Sequence, residues 1–252
     1  MAMRRVTALV TGAASGLGNA TAQRFLQQGA RVILADLPTK NSAALASLQS
    51  LEEEERSRSV FAGVDVLESS LVAAGVDSAL SNWGQSVNVV VNCAGIAVAQ
   101  RVLGKQGPHS LETFLKVGRE TESKRMRKLP ADENGIRGVI INTASIAAYD
   151  GQIGQTAYAA SKAAVAGLTL PLARDLARDG IRVVSIAPGL FRTPMLAALP
   201  EHVQTELGQT VPLPKRLGDP MEFAMLAQAV VENPMINGEV IRLDGALRMP
   251  PS

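Results

Sequence analysis

The chain has 252 residues, 46% hydrophobic and 19% charged, enough to bury a large core in a single domain over residues 1–252. A net charge of +2 without a basic stripe gives no nucleic-acid signal, the single Cys93 excludes an internal disulfide, and the separated His109 and His202 offer no metal cluster. The longest nearly apolar stretch, 87–99, is too short for a membrane span, so a soluble protein of the cytosol or mitochondrial matrix is expected, with no cleaved leader before the first strand.

Val6–Val10 reads as a buried strand, Gly16–Gln28 as a helix ended by Gly29, and Arg31–Ala35 as a second strand. The alternation continues with a polar helix over Asn41–Glu55, a strand over Val60–Gly63, a helix over Ser69–Asn82 and a strand over Val87–Asn92. Leu111, Phe114 and Leu115, capped by Ser110, begin an amphipathic crossover helix, but Gly118–Lys128 is polar almost all round. Strands over Val139–Thr143, Arg182–Ala187 and Val240–Leu243 follow, with a long Ala-rich helix, Ala157–Arg178, in which Pro171 predicts a kink. Strands alternating with helices in this way predict a Rossmann-type, doubly wound parallel α/β sheet of about seven strands, with helices on both faces. Ligands should gather at the strands' carboxyl ends.

Thr11-Gly-Ala-Ala-Ser-Gly-Leu-Gly18 follows the first strand and opens the first helix. Gly12 permits a tight turn, Gly16 close approach to a pyrophosphate and Gly18 close helix packing. Ser15 and Leu17 lie between them, and the helix N-terminus supplies amide donors. Asp36, 24 residues after Gly12, stands where a carboxylate binds both ribose hydroxyls and repels a 2′-phosphate, favouring NAD over NADP. A turn role beside Pro38 is its alternative. Asp65 and Val66 end the third strand, where they border the adenine or simply turn the chain. Asn92, Cys93, Ala94 and Gly95 end the fourth, and their small size leaves room for a cofactor.

Tyr158 and Lys162 lie four apart in a helical run, so both leave the same face, and Ser145 closes an apolar strand 13 residues before the tyrosine. A free phenol titrates near ~10, too high for a neutral-pH base. A cation ~4 Å away at an effective dielectric of ~20 is worth about 4 kcal/mol, enough in principle to bring that titration down by roughly three pH units, with burial working against it. Tyr-x-x-x-Lys alone more often means a packed tyrosine and a solvated lysine; the glycine turn upstream decides for a site.

With the glycine turn, Asp65, Asn92-Cys-Ala-Gly95, Ser145, Tyr158-x-x-x-Lys162 and Pro188-Gly189 in this order, nearly the whole chain resembles the classical short-chain dehydrogenases/reductases. The strings 92–98, 186–190 and 237–245 resemble those of the type 2 3-hydroxyacyl-CoA dehydrogenase group, also called 17β-hydroxysteroid dehydrogenase type 10. The resemblance implies an NAD-dependent oxidoreductase acting on a secondary alcohol or ketone, a 3-hydroxyacyl-CoA or a hydroxysteroid, in a homodimer or homotetramer. It implies Tyr158 as acid/base, Lys162 as the cation that lowers its pKa and binds the nicotinamide ribose, and Ser145 as the group that orients the substrate oxygen. Nicotinamide contacts from Pro188, Gly189 and Thr193 and a substrate lid over 191–217 are implied as well. The group's Asn in the crossover helix, which supports a proton-relaying water, has no counterpart here; between Leu111 and Gly135 the one Asn is Asn134. That departure opens a second reading, a catalytically impaired binding or scaffold protein of the same fold. A third, an NADPH-dependent ketoacyl reductase, is disfavoured by Asp36.

Overall fold

The computed structural model describes residues 1–66, 68–81, 83, 86–95, 103–104, 107–108 and 126–251. The strands of the main sheet are β1 (Thr7–Thr11), β2 (Arg31–Asp36), β3 (Ser59–Gly63), β4 (Val89–Asn92), β5 (Gly138–Thr143), β6 (Ile181–Pro188) and β7 (Val240–Leu243). They form one parallel seven-stranded sheet in the order β3-β2-β1-β4-β5-β6-β7. Both faces are covered, which is why β1, β4 and β6 are buried along nearly their whole length and read as continuous apolar runs. In register, Thr11 lies beside Ala35 and Asn92, Asn92 beside Asn142, and Ala187 beside Arg242. The strand order reverses between β1 and β4, which opens a crevice at their carboxyl ends.

The helices are α1 (Gly16–Gln27), α2 (Asn41–Ala46), α3 (Glu53–Ser57), α4 (Ser69–Leu80), α5 (Thr156–Ala177), α6 (Pro194–Ala197), α7 (Glu201–Gln209) and α8 (Pro220–Glu232). Alternate strand residues feed opposite cores, because successive side chains point to opposite faces. Val10, Val32 and Ile186 pack with Phe25 and Leu26 of α1 and Phe223 and Val230 of α8. Leu9, Ile33, Ile140 and Val183 pack on the other face with Val76, Met126 and Ala173. Phe25 and Phe223 are fully buried, and each contributes roughly 1.5–3 kcal/mol by leaving water.

The expected helix over Asn41–Glu55 is instead two short ones, α2 and α3. Leu48 and Leu51 turn inward between them, 1% and 5% exposed, and Glu52 and Glu55 form a capping box that starts α3 afresh. Helix α5 continues through Pro171. The sequence signal for α8 is its own capping box, Asp219 with Pro220 and Glu222. At its other end Arg182, a cation inside the apolar β6 and 4% exposed, donates to the carbonyls of Val230, Val231 and Ile236 at 2.7–2.9 Å. The crossover expected from Ser110 to Lys128 lies outside the described residues up to Met126, which is fully buried.

Candidate active site

The turn after β1 is built by steric necessity. Gly12 takes a φ of +66°, and a Cβ there would stand 3.0 Å from the Ala94 nitrogen, so only glycine lets the turn close on the end of β4. A Cβ on Gly18 would collide with the Gly12 carbonyl, so α1 rests directly on the turn. Thr11 Oγ1 accepts the N–H groups of Cys93 and Ala94 at 3.1 and 3.0 Å and ties the ends of β1 and β4 together. A Cβ on Gly16 would lie 3.5 Å from Thr193 and Pro194, which brings Thr193 to the same turn. Ser15 is exposed as the N-cap of α1 and makes no capping hydrogen bond, while Leu17 packs against the core.

Asp36 faces this turn. Its carboxylate accepts the Ala14 N–H at 2.9 Å and the Leu37 N–H at 2.8 Å, so the end of β2 is locked to the glycine loop. Asp65 and Val66 follow Val64, whose N–H donates to the Asp36 carbonyl at 2.8 Å. On the far side of the crevice, Gly189 donates its N–H to Leu243 at 2.9 Å just beyond Pro188, and it packs so closely on Asp244 that a Cβ would meet the Asp244 Cβ at 2.9 Å.

Ser145, two residues past β5 and 8% exposed, accepts the Ala147 N–H at 3.1 Å, and its hydroxyl stands close enough to the Tyr158 phenol to lower its pKa. Lys162 reaches across from α5 to donate to the Thr143 carbonyl at 2.9 Å, with its Nζ 5.8 Å from the centroid of the Tyr158 ring. A Cβ on Gly95 would lie 4.0 Å from that Nζ, so the loop after β4 borders the lysine. Asn92 donates to the Asn142 side chain at 2.8 Å. Ser145, Tyr158 and Lys162 are therefore brought together, and the glycine turn, Asp36 and the 92–95 loop line the neighbouring crevice.

Burial pushes the Tyr158 phenol above its ordinary range, and the nearby Ser145 hydroxyl works against this. Burial also pushes the Lys162 ammonium down. The Lys162 ammonium is turned to the Thr143 carbonyl, and burial is the largest influence on the phenol. Burial likewise pushes the Cys93 thiol up to about 11, opposed by the Thr143 hydroxyl, which donates to its sulfur at 3.6 Å, and by Lys162. Thr143 and Asn142 are site residues that motif reading misses; their signal is a pair of polar residues closing the apolar run Val139–Ile141.

The segment 191–217, carrying α6 and α7, leaves and rejoins the sheet at one point. Phe191 bridges Gly218, Arg192 donates its N–H to Gly218 at 2.8 Å, and Gly218 donates to Leu190 at 2.8 Å. A groove of about 280 Å³ beside the glycine turn is lined by Gly16, Asn19, Arg192, Pro194 and Asp219 among others, and not by Ser145, Tyr158 or Lys162. Among the described residues no cluster of His, Cys, Asp and Glu is arranged to hold a metal, and no helix is long and apolar enough to cross a membrane.

A model of the short chain dehydrogenase family matches residues 6–204. The chain is 49% identical to 3-hydroxyacyl-CoA dehydrogenase type-2 of Drosophila melanogaster, over 99% of this chain and 100% of that one. It is 49% identical to the Homo sapiens protein of the same name, over 99% and 97% of the two chains. The fold superposes on the crystal structure of 3-hydroxyacyl-CoA dehydrogenase type-2 from Mycobacterium avium with a TM-score of 0.85, 38% identity and coverage of 98% and 97%. A 3-ketoacyl-(acyl-carrier-protein) reductase from Brucella melitensis complexed with NADH superposes with a TM-score of 0.78, 25% identity and coverage of 97% and 99%. Full-length similarity of this kind, joined to the parallel sheet and the Ser145, Tyr158 and Lys162 cluster, identifies the chain as an oxidoreductase that belongs to the short-chain dehydrogenase family.

Proposed function

We propose that this protein transfers a hydride between NAD and a secondary alcohol or ketone, with a 3-hydroxyacyl-CoA as the substrate class. The observation that carries the reading is the Ser145 hydroxyl beside the Tyr158 phenol, with the Lys162 Nζ 5.8 Å from the centroid of the tyrosine ring and held on the Thr143 carbonyl. The substrate class is supported by the shared name of the 49% identical relatives.

The residues fit a dinucleotide. The turn after β1 leaves no space for side chains at Gly12 and Gly18, and the uncommitted Ser15 hydroxyl stands at the N-terminus of α1. Gly12, Ser15, Gly16, Leu17 and Gly18 would hold the pyrophosphate, Asp36 the adenosine ribose, and Asp65 and Val66 the adenine. Asn92, Ala94, Gly95, Pro188, Gly189 and Thr193 would hold the nicotinamide half, with Lys162 on its ribose. NAD, when bound, supplies the hydride acceptor.

In the oxidative direction Tyr158 Oη takes the alcohol proton, which requires the phenolate. Ser145 Oγ, held by the Ala147 N–H, orients the substrate oxygen. The Lys162 cation favours the phenolate over the phenol. Residues 191–217 act as the lid that shapes the substrate pocket. The exposed Leu168 and Leu170 on α5 support a homo-oligomer. No observation among the described residues favours the impaired scaffold reading.

The test is acetoacetyl-CoA reduction by the purified protein, followed as loss of reduced nicotinamide with NADH and with NADPH, and with a hydroxysteroid as comparison substrate. NADH-dependent turnover of the acyl-CoA is expected. NADPH preference, or NADH binding without turnover of any of these substrates, contradicts the proposal.

A further inference from the structure

Arg242 stands in β7, away from the Ser145, Tyr158 and Lys162 cluster, yet it holds the loop that carries Ser145. Its Nη2 donates to Asp150 at 2.6 Å and to the Leu247 carbonyl at 2.9 Å, and its Nε donates to Asp244 at 2.7 Å. The three side chains are largely withdrawn from water, at 20% exposure for Arg242, 17% for Asp150 and 7% for Asp244. A bridge partly shielded from solvent in this way holds its partners more firmly than one on the open surface. The guanidinium also lies 5.3 Å from the centroid of the Tyr149 ring.

The route from Arg242 to the reacting hydroxyl is short and continuous. Asp150 donates its N–H to the Ile146 carbonyl at 2.9 Å, and Tyr149 donates to the same carbonyl at 2.9 Å, closing one turn of 3-10 helix directly after Ser145. Within that turn Ala147 donates to Ser145 Oγ. The next residues are held from the same side: Gln152 donates to Pro250 at 3.2 Å, and Ile153 donates its N–H to Pro251 at 3.1 Å. Ser145 thus has Tyr158 on one side and, through its own turn, is held by the C-terminal segment on the other. Asp244 closes the loop of contacts, because it also packs against Gly189.

We infer that Arg242 is a positioning residue that sets the direction of the Ser145 hydroxyl by pinning Asp150 and Tyr149, and that the C-terminal segment is thereby part of the active-site scaffold. This rests on the oxidoreductase reading above. A displacement of about 1 Å at such a group costs up to about a hundredfold in rate.

The experiment compares the full-length wild type with Arg242→Gln, Arg242→Lys, Asp150→Asn and the double variant Arg242→Gln/Asp150→Asn. Turnover of acetoacetyl-CoA with NADH, NADH affinity by nicotinamide fluorescence and the melting temperature are measured on each. Arg242→Gln and Asp150→Asn should each lower kcat by about tenfold to a hundredfold while NADH affinity stays within about twofold. The double variant should be no slower than Arg242→Gln, since both act through one bridge, and Arg242→Lys should recover part of the loss. An active wild type alongside an Arg242→Gln that keeps its kcat overturns the inference alone. So does a silent Asp150→Asn, or a parallel loss of kcat and NADH affinity that follows the melting temperature. A wild type without turnover overturns the oxidoreductase reading and this inference with it.

Discussion

Lys162 donates its ammonium proton to the main-chain carbonyl of Thr143 at 2.9 Å, spanning from α5 to the end of β5. That bond anchors the cation between the strand that leads to Ser145 and the helix that carries Tyr158. Burial is the largest influence on the Tyr158 phenol beside it.

The pH dependence follows from that arrangement. Burial raises the Tyr158 pKa, so the protonated phenol persists through neutrality and into the alkaline range. Reduction uses the phenol as acid, and its kcat/KM should hold at neutral and lower pH and fall only under alkaline conditions. Oxidation needs the phenolate, so its kcat/KM should climb as pH rises through neutrality. Lys162→Met should move the oxidative limb to still higher pH. Rate profiles in both directions check this, and an unmoved limb in that variant would show that the lysine does not support the phenolate.

Cofactor choice should depend on Asp36. Its carboxylate is fixed by the Ala14 and Leu37 N–H groups, and with a dinucleotide bound as proposed it would repel a 2′-phosphate. Asp36→Ala should narrow the preference for NADH over NADPH by about tenfold or more. It should also cost about 1 kcal/mol of stability, because the Ala14 N–H loses its partner. Fluorescence titration with both cofactors and a denaturant melt read the two effects, and an unchanged affinity ratio would remove Asp36 from the ribose site.

Acid stability has a specific contributor at the start of α8. Arg216 bonds both Glu222 oxygens, at 2.7 and 3.0 Å, and with the Asp219 N–H it holds the Glu222 carboxyl at about 2, below the ordinary 4.5. The folded pKa is depressed, so this stabilisation is fully present above about 4.5 and is lost as pH falls toward about 2. The pair is exposed and solvent-screened, so the effect is small. The difference in melting temperature between wild type and Glu222→Gln should be constant from neutrality to mildly acidic pH and shrink below that. A difference that grows on acidification contradicts the assignment.

The sheet was legible because a parallel strand buried on both faces writes itself as an apolar run: Val89–Val91 and Val139–Ile141 admit little else. The glycine turn was legible because Gly12 and Gly18 answer local steric demands. What escaped depends on distant parts of the chain. Leu48 and Leu51 are drawn into the core and break a helix that local pattern favours. Helical spacing put Tyr158 and Lys162 on one face, but a carbonyl on a neighbouring strand decides where the ammonium points. Arg242 looks like any strand-end arginine until Asp150, 92 residues earlier, is seen beside it.

The most direct test of the account is the rate of NADH oxidation by acetoacetyl-CoA in wild type and Tyr158→Phe at saturating NADH. The substitution removes only the oxygen that carries the proton, so kcat should fall by about a thousandfold or more while NADH affinity is unchanged within about twofold. A Tyr158→Phe enzyme that turns over at close to the wild-type rate would contradict it.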